Sequence, residues 1–285
     1  MTKRLGIFGY PLHHSLSPLF QQAALDALGI DAKFEGWPTK PEDFAQAVEG
    51  LRADDCLGCC ITQPHKEVAL DLVDELDPAA ETIGAINTIV NTDGRLKGYN
   101  TDAPGFIRGL RESVGFEPEG RSALILGAGG AARGIVYALR EAGVSRMAIA
   151  NRTEERAQTL ARDMSRARFR PDAISLDVDQ LANFAPYADL IVNATSMGMR
   201  GGSADEESPL PPELISGNAV CYDAVYVPPV TPFLEASEDA GAQVAGGLSM
   251  LIYQGVEGFK LWTGQDAPVD VMFNAIPPTM RGDQA

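Results

Sequence analysis

"SALILGAGGAARGIVYALREAG", residues 122–143, decides the fold. An apolar run from Ser122 to Leu126 gives way to Gly127-Ala128-Gly129-Gly130-Ala131-Ala132, and a stretch with helical spacing of apolar residues follows at once. A buried strand that turns sharply into a helix is the local plan of a dinucleotide-binding βα unit. In that plan Gly127 makes the tight turn and Gly129 lets the backbone approach a pyrophosphate. Ala132 lets the helix pack close to the sheet. The helix N-terminus, opened by Gly130 and Ala131, supplies N–H donors to the phosphates. The plain alternative is a glycine-rich turn with no ligand, and the flanking strand and helix argue against it.

The next strand runs into "AIANRTEERAQ", residues 148–158. An NAD site would place Asp or Glu here to hold the ribose 2′-hydroxyl, whereas Arg suits a 2′-phosphate. The chain offers Asn151, Arg152 and Thr153, with Arg156 one turn later. A guanidinium matches a phosphate dianion, so NADP(H) is the predicted cofactor. Further on, "NATSMGM" (193–199) ends a strand, where Ala194, Thr195 and Met197 can line the dinucleotide. The bland reading of Met197 and Met199 is gap filling in a loop.

Short apolar runs alternate with helical patterns along the chain. Strands are predicted near 4–8, 33–37, 57–62 and 86–90, with helices at 17–28, 41–52 and 65–74. A second set of strands lies at 122–126, 146–150, 173–176, 188–193 and 219–224, with its clearest helices at 130–142 and 153–165. Such alternation implies parallel strands with helical crossovers, hence an α/β fold. Two domains follow, joined by a helix that begins near Asp102. Residues 198–212 read as a loop and 247–280 as helix.

Composition narrows the function. The 285 residues carry a formal charge of −16, which argues against nucleic acid, whose phosphates call for basic patches. The same charge argues against an anionic membrane surface. No apolar run reaches the ~18 residues of a membrane span, and the N-terminal run is too short for a signal peptide. Of the four cysteines, Cys56, Cys59 and Cys60 share "CLGCC" with C-x-x-C spacing. A second ligand pair for zinc is missing, so core packing is the predicted role, in a reducing cytoplasm. His13, His14 and His65 form no metal set with carboxylates, so no metal is expected.

The N-terminal half poses its own question. "CCITQPHKE" (59–67) predicts a buried strand and then a helix with Lys66 in its first turn, where the dipole disfavours a cation by about 0.3–1 kcal/mol. Ser15 and Ser17 follow a strand and precede a helix, where hydroxyls can bind a carboxylate or simply cap. Asp102 reads as the N-cap of a helix at 103–113, while Asn87 inside a strand has no such simple use. Thr62 and Lys66 lie just past one strand end and Asp102 past another, where ligands collect in parallel sheets. A lysine beside a carboxylate in a cleft is a plausible acid–base pair.

Nine stretches, "GYPLHHSLSP", "TQPHKE", "GAINT", "GYNTDAPGF", "GAGGAAR", "NRTEER", "NATSMGM", "YDAVYVPPVTPFL" and "GGLSMLIYQG", run in the order of the shikimate dehydrogenase family, which the chain resembles from Gly9 to beyond Gln254. The resemblance implies NADPH-dependent reduction of 3-dehydroshikimate to shikimate, on the route to chorismate and the aromatic amino acids. It implies a substrate domain, 1–102, completed by the C-terminal helices 240–285, and a Rossmann-like NADP domain, 103–239. Lys66 and Asp102 match the family's catalytic pair. Ser15 and Ser17 match its carboxylate site, and Thr62, Asn87, Tyr226 and Gln254 its other substrate contacts. Gly247 joins Gly127 to Ala131, Asn151 to Thr153, Arg156, Thr195 and Met197 on the cofactor side. The expected partner is a small ring acid, with the protein a monomer or homodimer. The chain departs from the family at Cys60-Ile61-Thr62, where N-V-T is usual, at Gln21-Gln22 for H-N, and at Ser249 for glycine. A quinate-using sibling enzyme and a non-catalytic sensor of NADPH or ring acid are the other readings.

Overall fold

The structure is a computed structural model and describes residues 1–12 and 15–281, so His13 and His14 lie outside the described residues. The chain divides into two compact units, Met1–Gly105 with Leu251–Pro277, and Phe106–Met250 with the segment from Pro278 on.

In the first unit, apolar runs form β1 (Lys3–Gly9), β2 (Ala32–Pro38) and β3 (Cys56–Ile61). Then come β4 (Glu75–Leu76), β5 (Thr88–Thr92) and β6 (Arg95–Tyr99). Helices α1 (Ser17–Ala27), α2 (Phe44–Glu49) and α3 (Pro78–Ile83) connect them, and α4 (Asp102–Val114) leads out. The sheet order is β2-β1-β3-β5-β6-β4. Strands β2, β1 and β3 are parallel, but β5 is antiparallel to both β3 and β6. The expectation of an all-parallel sheet is therefore corrected here. For β5 and β6 the cause is the Asp93-Gly94 turn, with φ of 52° and 84°, since a two-residue type I′ hairpin turn needs positive φ at both central positions.

Residues 65–74 do not form the predicted α-helix. After one i→i+4 bond, Ala69 to His65, the chain tightens into a 3₁₀ turn at Val68–Leu72. The Lys66 carbonyl accepts from Ile86 N–H instead of a residue four further on, so the helical ladder cannot continue. Lys66 consequently meets no helix dipole. Cys56 and Cys59 pack in the core with Phe8, Phe44 and Ile61, and all four cysteines are free and buried.

The second unit follows the sequence reading closely. It contains β7 (Ser122–Leu126), β8 (Arg146–Asn151), β9 (Asp172–Ser175), β10 (Leu190–Asn193), β11 (Val220–Asp223) and β12 (Gln243–Ala245). Its helices are α5 (Gly130–Glu141), α6 (Glu154–Met164), α7 (Val178–Leu181) and α8 (Pro232–Asp239). The order β12-β11-β10-β7-β8-β9 is wholly parallel and reverses direction between β7 and β10. That reversal makes the carboxyl ends of β7 and β10 the switch point where doubly wound sheets hold ligands.

The chain closes with α9 (Leu248–Thr263), α10 (Val269–Asn274) and α11 (Pro278–Arg281). In the first unit Trp262 Nε1 donates to the Ile89 carbonyl at 2.9 Å, and α10 packs on α1. The sequence reading gave the whole of 240–285 to the first unit. Residues 240–250 instead cluster with the second, because Gln243–Ala245 pairs with β11 as an edge strand.

Candidate active site

In the first unit, Asn87 is stapled at the sheet by its backbone: its N–H donates to Tyr99 and its carbonyl accepts from Ile61. Its side chain then organises a buried polar knot. Asn87 Oδ1 accepts from Thr101 N (2.7 Å), Thr101 Oγ1 (3.1 Å) and Thr88 Oγ1 (3.2 Å). With the oxygen so fixed, Nδ2 points the other way and donates to Asp102 Oδ1 at 2.8 Å. It also reaches Gln254 Oε1 at 3.3 Å, and Gln254 Nε2 donates to Leu251 O. The other carboxylate oxygen, Asp102 Oδ2, accepts from Lys66 Nζ at 2.5 Å. Side-chain exposure is 15% for Lys66 and 6% for Asp102, so water screens this pair little.

Asp102 is not the N-cap that its position suggested. It stands inside α4, and Asn100 Oδ1 accepts the Ala103 N–H in its place, which leaves both Asp102 oxygens to Asn87 and Lys66. Nor does Ser17 cap α1, where it is the buried first residue; Ser15 Oγ accepts its N–H at 3.4 Å. Thr62 follows β3, with its N–H on the Phe8 carbonyl. Cys60 is a buried neutral thiol, pushed up to about 12 by burial, with the Lys66 ammonium pulling the other way and Asp102 adding to the rise. The structure thus joins Lys66, Asn87, Asp102 and Gln254 in one network, while Ser15, Ser17 and Thr62 stand outside it. Sequence reasoning missed Thr88, Thr101 and His65. His65 is buried, lies flat on Phe44 with ring centroids 4.0 Å apart, and bonds the Thr39 carbonyl through Nε2 at 2.8 Å. It anchors the segment that carries Lys66.

In the second unit, the glycine-rich turn sits at the switch point. Gly127 has φ +114°, and a Cβ there would come 2.9 Å from the Ala194 carbonyl group. Gly129 faces open space and occupies the cap position of α5, which has no side-chain cap and no acid in its first turn. The first N–H groups of α5 are thus open to an anion, so these residues fit a dinucleotide pyrophosphate. At the end of β8, Asn151 Nδ2 holds the Thr153 carbonyl at 2.8 Å. Arg152 is exposed and makes no ion pair among the described residues, and Arg156 is exposed one turn on. That edge fits a 2′-phosphate.

Thr195 and Met197 lie in the loop after β10. Thr195 donates to Asn193 Oδ1 by both its N–H (3.0 Å) and its hydroxyl (2.7 Å), and the Met197 carbonyl accepts from Asn193 Nδ2. Tyr226 belongs to this unit, not to the polar knot of the first; it is half-buried after β11, and burial pushes its phenol up. Gly247 lies so close to the backbone that a Cβ would come 2.4 Å from Ala224 O.

Both units are similar to parts of known proteins. Residues 7–89 match the shikimate dehydrogenase substrate binding domain, and 111–199 match shikimate / quinate 5-dehydrogenase. Residues 247–276 match the shikimate 5′-dehydrogenase C-terminal domain. Shikimate dehydrogenase (NADP(+)) from Moorella thermoacetica is 44% identical, over 98% of this chain and 94% of that protein. The Methanopyrus kandleri protein of the same name is 41% identical over 98% and 97%. The crystal structure of shikimate 5-dehydrogenase from Thermus thermophilus, in complex with NADP(H) and shikimate, superposes with a TM-score of 0.86 at 39% identity, over 99% of this chain and all of that one. With the glycine turn at its switch point and the buried lysine–aspartate pair, the chain belongs to the shikimate dehydrogenase family.

Proposed function

We propose that the protein reversibly reduces 3-dehydroshikimate to shikimate with NADPH, a step toward chorismate and the aromatic amino acids. The observation that carries this reading is the buried Lys66–Asp102 pair, with Asn87 locked against its far oxygen. NADPH, when bound, supplies the hydride for the ring ketone. Gly127, Gly129 and the N-terminus of α5 would hold its pyrophosphate, and Arg152 with Arg156 its 2′-phosphate. As negative charge develops on the ketone oxygen, Lys66 Nζ gives it a proton. Such general acid catalysis is worth about 10²–10⁴ in rate. Asp102 orients the ammonium and accepts from the neighbouring hydroxyl, and Asn87 holds Asp102. Ser15 and Ser17 take the substrate carboxylate, while Thr62, Tyr226 and Gln254 complete its recognition. In the reverse direction Lys66 takes the proton from the alcohol.

Among the described residues no helix is long and apolar enough to cross a membrane. We assign the enzyme to the cytoplasm, as a monomer or homodimer. The test is NADPH absorbance with purified protein, shikimate or quinate against NADP or NAD. Rapid signal with shikimate and NADP alone supports the assignment. Preference for quinate or NAD moves it to the sibling activity within the same family. Ligand binding without turnover in any combination leaves the sensor.

A further inference from the structure

Asp223 ends β11 fully buried, beside Asn193 in the parallel register. Its oxygens collect three donors from three directions. Oδ1 accepts from Asn193 Nδ2 at 3.0 Å and from Val225 N at 2.8 Å; Oδ2 accepts from Thr231 Oγ1 at 2.6 Å. Thr231 in turn caps α8 by accepting from Leu234 N. Every donor is neutral, so this carboxylate has no counter-ion among its bonded partners. Burial pushes its pKa up to about 6.

The network reaches three of the segments of the second unit expected to meet ligand, those of Thr195 and Met197, of Tyr226 and of Gly247. Through Asn193 it fixes Thr195 and the Met197 carbonyl. Through Val225 and Thr231 it clamps both ends of the loop that carries Tyr226. Gly247 lies against the same loop and donates its N–H to the Val225 carbonyl at 3.2 Å. The Arg200 N–H on the Val227 carbonyl adds a second tie between the loops. Removing the carboxylate would leave buried donors on three segments without an acceptor, a larger loss than one surface bond.

We propose that Asp223 is a positioning residue for the reaction: its two oxygens tie the loop after β10 to the loop after β11, and so hold Thr195, Met197 and Tyr226 in register for the dinucleotide and the ring acid. The assignment of those ligands rests on the function proposed above; the tie between the loops does not. Asp223 touches neither ligand and acts through its neighbours.

The experiment has two arms. Amide exchange on the ligand-free protein follows Thr195, Met197 and Val225, with Leu124 and Ile149 as core references. Calorimetric titration with NADP, without substrate, gives Kd. Asp223→Ala should speed exchange at the three loop amides, leave the two core amides unchanged, and weaken NADP about tenfold. Asp223→Asn keeps a carbonyl acceptor toward Asn193 and Val225 and should restore most of both. Should Asp223→Ala fail to fold, Thr231→Val removes the Oδ2 donor together with the α8 cap and should speed exchange at the same loop amides, while Thr231→Ser keeps both bonds and should exchange like the parent. Parent-like exchange and Kd in Asp223→Ala, or in Thr231→Val in its place, would overturn the proposal, as would an Asn variant as impaired as the Ala. If the parent protein itself does not bind NADP, the cofactor reading fails, and the exchange arm still decides the role of Asp223.

Discussion

Asp102 in the first unit and Asp223 in the second keep nearly the same company. Each is buried, and each accepts from an asparagine amide, Asn87 at 2.8 Å and Asn193 at 3.0 Å. Each asparagine uses its carbonyl oxygen to take the N–H and the hydroxyl of one threonine, Thr101 or Thr195. The difference lies in the remaining carboxylate oxygen. On Asp102 it receives the Lys66 ammonium; on Asp223 it receives the Thr231 hydroxyl. An ammonium can give a proton to an oxygen on which negative charge develops, while a hydroxyl donor in this setting only holds geometry. On the function and the positioning role proposed above, the same asparagine–threonine frame supports chemistry in one unit and backbone placement in the other, and the third partner decides which.

The sharpest way to break the comparison is to remove that partner. Lys66→Ala should cost about 10²–10⁴ in kcat, with NADP Kd left near the parent value. A comparable loss of NADP affinity would erase the contrast between the two sites. Next comes the frame itself. Thr101→Val keeps shape and the backbone bond to Asn87 but deletes a hydroxyl, and should lower kcat about tenfold at nearly constant NADP affinity. On the cofactor side, Arg152→Ala should raise the KM for NADP about tenfold and leave that for NAD unchanged, narrowing the preference between them.

The smallest effect concerns stability. Asp223 holds its proton more tightly folded, at about 6, than its ordinary value of 3.8, because burial disfavours the charge. A carboxyl raised in this way contributes stability that is complete below the ordinary value and is lost as pH rises through about 6. Asp223→Asn cannot ionise, so the Tm of the variant minus that of the parent should grow more positive between about pH 4 and pH 7, by a few degrees. A flat difference across that window would mean that the carboxylate is charged in the fold at no cost.

Strands β7 to β11 of the second sheet were legible in the sequence because they are short apolar runs, the central ones buried on both faces, and because the glycine turn occurs in its proper setting, whereas the three-residue edge strand β12 carries too short a run to be read. The first sheet was less so. Strand β6, Arg95–Tyr99, alternates charged residues with Leu96 and Gly98 and carries little apolar signal, although the Asp93-Gly94 pair before it marks a hairpin. The helix expected around Lys66 failed because a tertiary bond from Ile86 takes the carbonyl that a helix would use. Lys66 and Asp102 could be singled out by residue type and by their place past strand ends. Gln254 and Tyr226 came only through family resemblance. Thr101, Asn193, Asp223 and Thr231 escaped because their partners lie at separations, such as the thirty residues from Asn193 to Asp223, that carry no periodic signal.

The Trp262 bond to Ile89 has a consequence for synthesis. The first unit is built from both ends of the chain, with Gln21 also donating to the Gly255 carbonyl, whereas the second unit's sheet is complete by Ala245. A nascent chain that has just passed residue 250 therefore holds every strand among the described residues but lacks most of α9 and all of α10. The sheet made first must wait for its cover, while the sheet made second can close at once. Vectorial synthesis thus reverses the order in which the units mature, and it leaves Gln254, a member of the polar knot, among the last groups to arrive.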